Sequence, residues 1–159
     1  MIAAYDGSGD LRRATGSDCP GLSAMVLRSK ASNGYDAAFM AACADELAVT
    51  PERLRGQEVW VIDGPGGPLA CAALDPDGGE ALGEVSLFFA DPTAQGRGLG
   101  KRLWHHIVAR ARVLGLRRLA LDADPVAEPF YASMGCRTVG RVPSGSIPGR
   151  TLPHMICDL

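Results

Sequence analysis

The spacing of apolar positions changes several times along the chain, and each change marks a new element. Leu11 to Thr15 reads as a short first strand. Leu22, Met25 and Val26 then recur at helical spacing. Ser17 or Asp18 would cap that helix, which runs to about Ser29 and tolerates Pro20 in its first turn. Phe39, Met40, Cys43 and Leu47 recur at three and four, predicting a second helix over Asp36–Ala48 that Thr50-Pro51 ends. Lys30 to Tyr35 between them has loop composition.

The pattern then shortens to runs of strand length. Val59–Ile62, Leu69–Leu74 and Glu84–Phe89 read as three strands. Gly64-Pro65-Gly66-Gly67 and Asp75 to Gly79 are the turns between them, so the three form an antiparallel meander. Helical spacing returns over Gly98–Leu114, with Leu99, Leu103, Ile107 and Leu114 as its buried stripe. Arg102, His106 and Arg110 are expected on its solvent side, and Gly115 stops it. Arg118–Ala123 is a further strand, and Glu128–Met134 a short helix ended by Gly135. Two last strands fall near Cys136–Val142 and Met155–Leu159, joined by a Pro/Gly-rich loop from Pro143 to Pro153. The order β-α-α-β-β-β-α-β-α-β-β predicts a mixed α/β domain.

Composition narrows the class. A chain of 159 residues with 47% hydrophobic and 21% charged residues fits one globular domain spanning 1–159. A domain of that size buries roughly 68–70% of its unfolded surface. The net charge of −2 gives no footprint for nucleic acid. The five cysteines (Cys19, Cys43, Cys71, Cys136 and Cys157) are odd in number and widely spaced, without C-x-x-C. That argues against a disulfide framework or a zinc site and for free thiols in the cytoplasm. Residues Met1 to Asp6 lack a positive region followed by an apolar run, so no signal peptide is expected, and Asp6 to Asp10 reads as a loose end or turn. No apolar stretch reaches the length of a membrane span.

The most informative stretch is Asp91-Pro92-Thr93-Ala94-Gln95-Gly96-Arg97-Gly98-Leu99-Gly100-Lys101, which joins a strand directly to a helix. Its glycines let the backbone approach a ligand closely. The helix that starts there brings unpaired N–H groups and the positive end of its dipole. Together they form an anion site suited to a pyrophosphate, with Arg97, Lys101 and Arg102 adding positive charge. Two nucleotide signatures are excluded. Gly100-Lys101 is followed by Arg102 rather than Ser or Thr, and the residue three beyond Gly98 is Lys101 rather than Gly.

Gln95-Gly96-Arg97-Gly98-Leu99-Gly100 resembles the Gln/Arg-x-x-Gly-x-Gly/Ala signature of the GNAT superfamily of N-acetyltransferases. Leu87 to Pro92 resembles the strand before that signature, and Glu128 to Cys136 the later "Ala-x-x-Phe-Tyr-x-x-x-Gly-Phe" helix and turn. The resemblance covers most of the chain. It implies a single-domain mixed sheet, mostly antiparallel, with a splayed central parallel pair and helices on both faces. It also implies acetyl-CoA as co-substrate, with no metal. The pantetheine arm would then lie along Phe88, Phe89 and Ala90, and the pyrophosphate against Gln95, Gly96, Arg97, Gly98, Leu99, Gly100 and Lys101. One departure stands out: where the family often carries Asn after the second parallel strand, this chain reads Asp124-Pro125-Val126-Ala127.

Amine acetylation must deprotonate an ammonium, attack a thioester and protonate the departing thiolate. Tyr131 matches the tyrosine after Phe in the family helix and is the expected general acid. Glu84 is the candidate base: the resemblance implies a catalytic or water-linked Glu at that point in some members, and period two places Glu84, Ser86 and Phe88 on one strand face. His105 and His106 point about 100° apart and do not share a site. His154 lies near the last strand, within reach of an acceptor pocket. Tyr35, in the loop between the first helices, and Ser146, in the Pro143–Arg150 loop, are candidate substrate contacts.

The expected partner is a small-molecule amine, with no nucleic acid and no membrane, and a homodimer is left open. A non-catalytic acyl-CoA sensor and a protein N-acetyltransferase remain alternatives. Fold analogy does not choose the acceptor.

Overall fold

The computed structural model describes residues 9–159. The Met1–Asp6 segment and most of the Asp6–Asp10 turn lie outside the described residues. Seven strands form one sheet: β1 (Leu11–Arg13), β2 (Glu58–Gly64), β3 (Gly67–Asp75), β4 (Leu82–Ala90), β5 (Arg118–Asp122), β6 (Arg137–Pro143) and β7 (Thr151–Asp158). Their spatial order is β1-β2-β3-β4-β5-β7-β6. Five helices accompany them: α1 (Cys19–Ala31), α2 (Ala37–Leu47), α3 (Pro51–Gly56), α4 (Leu99–Val113) and α5 (Glu128–Ser133). All neighbouring strands run antiparallel except β4 and β5.

The strand β3 explains how both faces of the sheet are covered. Ala70, Cys71, Ala72, Ala73 and Leu74 are all buried, a run with no polar alternation. The small side chains of Ala70, Cys71, Ala72 and Ala73 let helices approach both faces. On one face, Leu99, Leu103, Trp104 and Ile107 of α4 pack against Ile62, Ala72, Leu74, Leu119 and Leu121. On the other, Leu22, Met25 and Val26 of α1 and Cys43 and Leu47 of α2 pack against Val59, Val61, Cys71, Ala73 and Leu87.

Four expectations need correction. Leu114 is not part of the buried stripe of α4: it follows the last turn and is 40% exposed, and Trp104 and Ala111 are buried with Leu99, Leu103 and Ile107 instead. Thr50-Pro51 does stop α2, but it also begins α3: the Thr50 hydroxyl accepts from the Arg53 N–H at 3.2 Å and Pro51 sits at the first helical position. The hairpin β6–β7 is longer than expected, with β7 starting at Thr151 rather than Met155. The row Arg102, His106 and Arg110 is not on the solvent side but lies over the β1–β2 edge. Arg110 donates to both Glu58 carboxylate oxygens at 3.0 and 2.8 Å. The His106 ring meets Trp60 edge-on at 4.3 Å, and its Nε2 is buried without a partner among the described residues. That burial, helped by nearby Arg110, lowers the affinity of His106 for a proton.

The parallel pair is brief. Only Leu82, Gly83 and Glu84 pair with Arg118, Leu119 and Ala120. Beyond them β4 and β5 diverge, while the other edge of β5 stays paired with β7 along its whole length. The splay predicted by resemblance is therefore present, and a cavity of about 650 Å3 opens where the strands part.

Candidate active site

The cavity is built from both sides of the parted strands. One end is formed by the segment after β4. Asp91 fixes the turn there by accepting from Thr93 N–H at 3.0 Å and Thr93 Oγ1 at 2.7 Å, and it pairs with Arg28 at 2.8 Å. Gly96 and Gly98 have φ of 80° and 77°, the left-handed region that glycine enters without strain. Gly98 is the residue before α4, and no side chain caps that helix. Its first N–H groups therefore face the cavity without an intrahelical acceptor. Gln95, Gly96, Gly98, Leu99, Gly100 and Lys101 line this end. Arg97 is exposed and lies outside the lining. An α-carbon substituent at Gly98 would meet nothing within 4 Å, so space is left for a ligand. These features fit a phosphate-bearing ligand.

The strand edge leading to this loop carries a bulge. Ala73 pairs with Leu87 but Leu74 pairs with Val85, leaving Ser86 unopposed. The extra residue reverses the alternation. Ser86 points to α3, where its hydroxyl donates to Gln57 Oε1 at 2.8 Å and accepts from Arg53 Nη1 at 3.0 Å. Phe88 points to the opposite face, against Trp104, Phe130 and Tyr131. The expectation that Glu84, Ser86 and Phe88 share a face is thus overturned. Phe88, Phe89 and Ala90 all line the cavity, whereas Glu84 is exposed and outside it.

Tyr131 lines the cavity from α5 and is 6% exposed. Its ring sits at 5.8 Å from Phe88, 5.8 Å from Trp104 and 5.3 Å from Phe130. Its hydroxyl has no hydrogen-bond partner among the described residues. Burial, with smaller contributions from Cys136 and Asp124, pushes its phenol well above the usual tyrosine range. It therefore holds its proton at neutral pH.

The other end is formed by α1, α2, the segment after β5 and the β6–β7 loop. Four residues from three distant stretches of the chain converge here. Lys30 Nζ donates to Asp124 Oδ2 at 2.6 Å, and the Tyr35 hydroxyl donates to the same oxygen at 2.8 Å. Arg150 Nη2 donates to the Tyr35 oxygen at 2.8 Å and lies 3.6 Å from Asp124. Asp124 is positioned by the turn that follows it, where it accepts from Val126 N–H at 3.0 Å. Burial favours the neutral acid of Asp124, but Lys30, the Val126 N–H and Tyr35 outweigh it and hold the carboxyl below the usual range. Burial and the Asp124 carboxylate push the Tyr35 phenol up to about 12.

Tyr35 stands behind Arg150 and Asp124 rather than in the lining, while Ser146, Lys30, Asp124 and Arg150 line the cavity. Glu46 and Asp122 are further lining carboxylates, and Asp122 Oδ1 lies 2.7 Å from His154 Nδ1. The sequence reading missed Lys30, Asp124 and Arg150 as a group. No local motif joins them, and only the topology brings them together.

The comparisons with known proteins agree with this geometry. A family model described as an Acetyltransferase (GNAT) domain matches residues 27–147. The chain therefore belongs to the GNAT acetyltransferase family. It is 46% identical over 59 residues to an amino-acid acetyltransferase of Ralstonia nicotianae, a match that covers 37% of this chain and 13% of that protein. It is 29% identical over 124 residues to a probable glucosamine 6-phosphate N-acetyltransferase 2 of Oryza sativa, covering 72% of this chain and 73% of that one. Among solved structures, a GCN5-related N-acetyltransferase from Rhodopseudomonas palustris shares the fold with a TM-score of 0.80 at 23% identity, over 100% of this chain and 99% of that one. The PaiA N-acetyltransferase of Thermoplasma acidophilum, solved with coenzyme A, shares it with a TM-score of 0.76 at 13% identity, over 96% and 99% of the two chains. No helix among the described residues is long and apolar enough to cross a membrane. All five cysteines are buried and unpaired.

Proposed function

We propose that this chain transfers an acetyl group from acetyl-CoA to the primary amine of a small molecule, by direct attack and in the cytoplasm. The observation that carries the reading is one cavity with an anion-binding loop at one end and a polar side-chain cluster at the other. The uncapped first turn of α4 and the backbone from Gln95 to Lys101 hold the pyrophosphate. The edge at Phe88, Phe89 and Ala90 holds the pantetheine arm. Bound acetyl-CoA supplies the activated acyl group. The acceptor enters from the α1–α2 side.

Tyr131 donates its proton to the departing thiolate, for which its unshared hydroxyl in the cavity wall suits it. Glu84 is exposed and does not line the cavity, so another group is sought to take the proton of the amine. Asp122 is better placed, since it lines the cavity and can pass a proton to His154. The relatives named above act on an amino acid and on an amino sugar phosphate, which supports a small acceptor. Release of CoA from acetyl-CoA is measured with a panel of small amines. Turnover with at least one amine is expected. Tight binding of acetyl-CoA with no turnover on any amine would return the chain to the sensor reading.

A further inference from the structure

The cluster at the acceptor end carries more positive charge than its own partners neutralise. Lys30 and Arg150 face one carboxylate, Asp124, and the side chains are 10%, 19% and 11% exposed. Glu46 and Asp122 also line the cavity, but Glu46 is exposed on α2 and Asp122 is engaged by His154. The Arg150 guanidinium rests against two aromatic neighbours, its central carbon 4.9 Å from the centre of the Phe39 ring and 5.2 Å from that of Tyr35. Those rings stack on each other at 4.0 Å and 7°. Of the Arg150 guanidinium nitrogens, only Nη2 makes polar contacts among the described residues, with the Tyr35 hydroxyl and, at 3.6 Å, with Asp124. A fixed planar fork with further N–H groups unshared matches the geometry of a carboxylate or a phosphate. Holding a second cation beside Arg150 in a cavity also costs desolvation and repulsion that a ligand anion offsets.

We propose that the acceptor amine carries an acid group, a carboxylate or a phosphate monoester, and that Arg150 and Lys30 bind it. This rests on the acetyl-transfer reading and specifies its substrate class. Tyr35 acts as a positioning residue, orienting Arg150 and sharing Asp124. The acid group is anchored on Arg150 and Lys30, and the amine is left to reach the thioester where the strands part.

The experiment compares matched pairs of amines: an amino acid with its amide, and an amino sugar phosphate with the free amino sugar. Each is tested for stabilisation of CoA-loaded protein and for turnover with acetyl-CoA. The acid member of at least one pair is expected to have a kcat/KM at least about tenfold above its neutral partner, and the preferred pair tells carboxylate from phosphate. Arg150→Gln should bring that ratio close to one, and Arg150→Lys should leave an intermediate ratio, because charge survives without the fork. The Tm shift with acetyl-CoA reports whether each variant folds.

Equal rates for acid and neutral members overturn the proposal while leaving the transferase reading intact. So does an Arg150→Gln variant that loses thermal stability but keeps the wild-type ratio, since the cluster is then a structural ion network. Stabilisation of CoA-loaded protein by the acids alone, without acetylation of any amine, keeps the anion site and defeats the transferase reading.

Discussion

Replacing Tyr131 with Phe separates catalysis from packing. The tyrosine hydroxyl has no partner among the described residues, so its removal breaks no internal hydrogen bond. The ring contacts to Phe88, Trp104 and Phe130 stay in place. The cost to folding should therefore stay below about 0.5 kcal/mol, well short of the 1–3 kcal/mol lost when a buried partner is orphaned. The phosphate site uses backbone groups on another element, so the Kd for acetyl-CoA should hold within about threefold. The rate is another matter. General acid catalysis contributes typically about 10²–10⁴-fold, and a thiolate leaves easily enough to place the expected loss near the lower end. A fall in kcat of at least about tenfold corresponds to about 1.4 kcal/mol of barrier. The assay follows thiol release at saturating acetyl-CoA, with Tm and Kd measured on the same protein. A variant that turns over at the wild-type rate with an unchanged pH profile would falsify the assignment and make Tyr131 a packing residue. Loss of acetyl-CoA binding alongside turnover would show instead that the hydroxyl holds the thioester.

Three further outcomes follow from the same structure. Gly98→Asp should fold, since nothing lies within 4 Å of the new β-carbon and left-handed strain costs about 1–2 kcal/mol. It should nevertheless lose the acetyl-CoA Tm shift, which in the wild type is worth about 2.7 kcal/mol at 100 times Kd; a preserved shift counts against the anion site. Trp104→Ala, at a position 2% exposed between Phe88 and Tyr131, should cost about 3–5 kcal/mol in urea unfolding, and a loss under about 1 kcal/mol would contradict the packing described. The Asp124 carboxyl titrates lower in the folded chain than the roughly 3.9 of an unfolded aspartate, so its stabilisation is complete above about pH 4 and is lost as pH falls through the folded value. Asp124→Asn should lose stability at pH 7 and should show less of the acid-induced loss than wild type; identical pH profiles for the two proteins would show that Asp124 does not contribute it.

The loop proposed to hold the cofactor was legible as an anion site because its chemistry is local. A strand, a glycine loop and a helix start are consecutive in the chain, and Gln95 to Lys101 can be read without knowing the fold. Tyr131 was legible through its neighbours Phe130 and Gly135. The acceptor half was not, because Lys30, Tyr35, Asp124 and Arg150 meet only once the sheet is assembled. Lys30 and Arg150 each read alone as an ordinary surface cation near a loop. The face of Phe88 was misread for another reason: strict alternation carries no sign of the unopposed Ser86, which only its pairing partners on β3 reveal. Thr50-Pro51 shows how one dipeptide serves two signals, since a residue that ends one helix also starts the next. The partial cover over His106 and Arg110 escaped notice because both are polar, and what they pack on is the Trp60 ring.

The brief parallel pairing of β4 with β5 has a mechanical consequence. Hydrogen bonding across the middle of the sheet runs through three residue pairs, Leu82–Glu84 with Arg118–Ala120. Everything beyond that short seam is two half-sheets leaning apart, each presenting an unfinished edge to the gap. The stripe of Leu99, Leu103 and Ile107 contacts residues from both halves and straps them together from below, as a splint holds a partial fracture. A ligand drawn into the gap thus bears on both half-sheets at once.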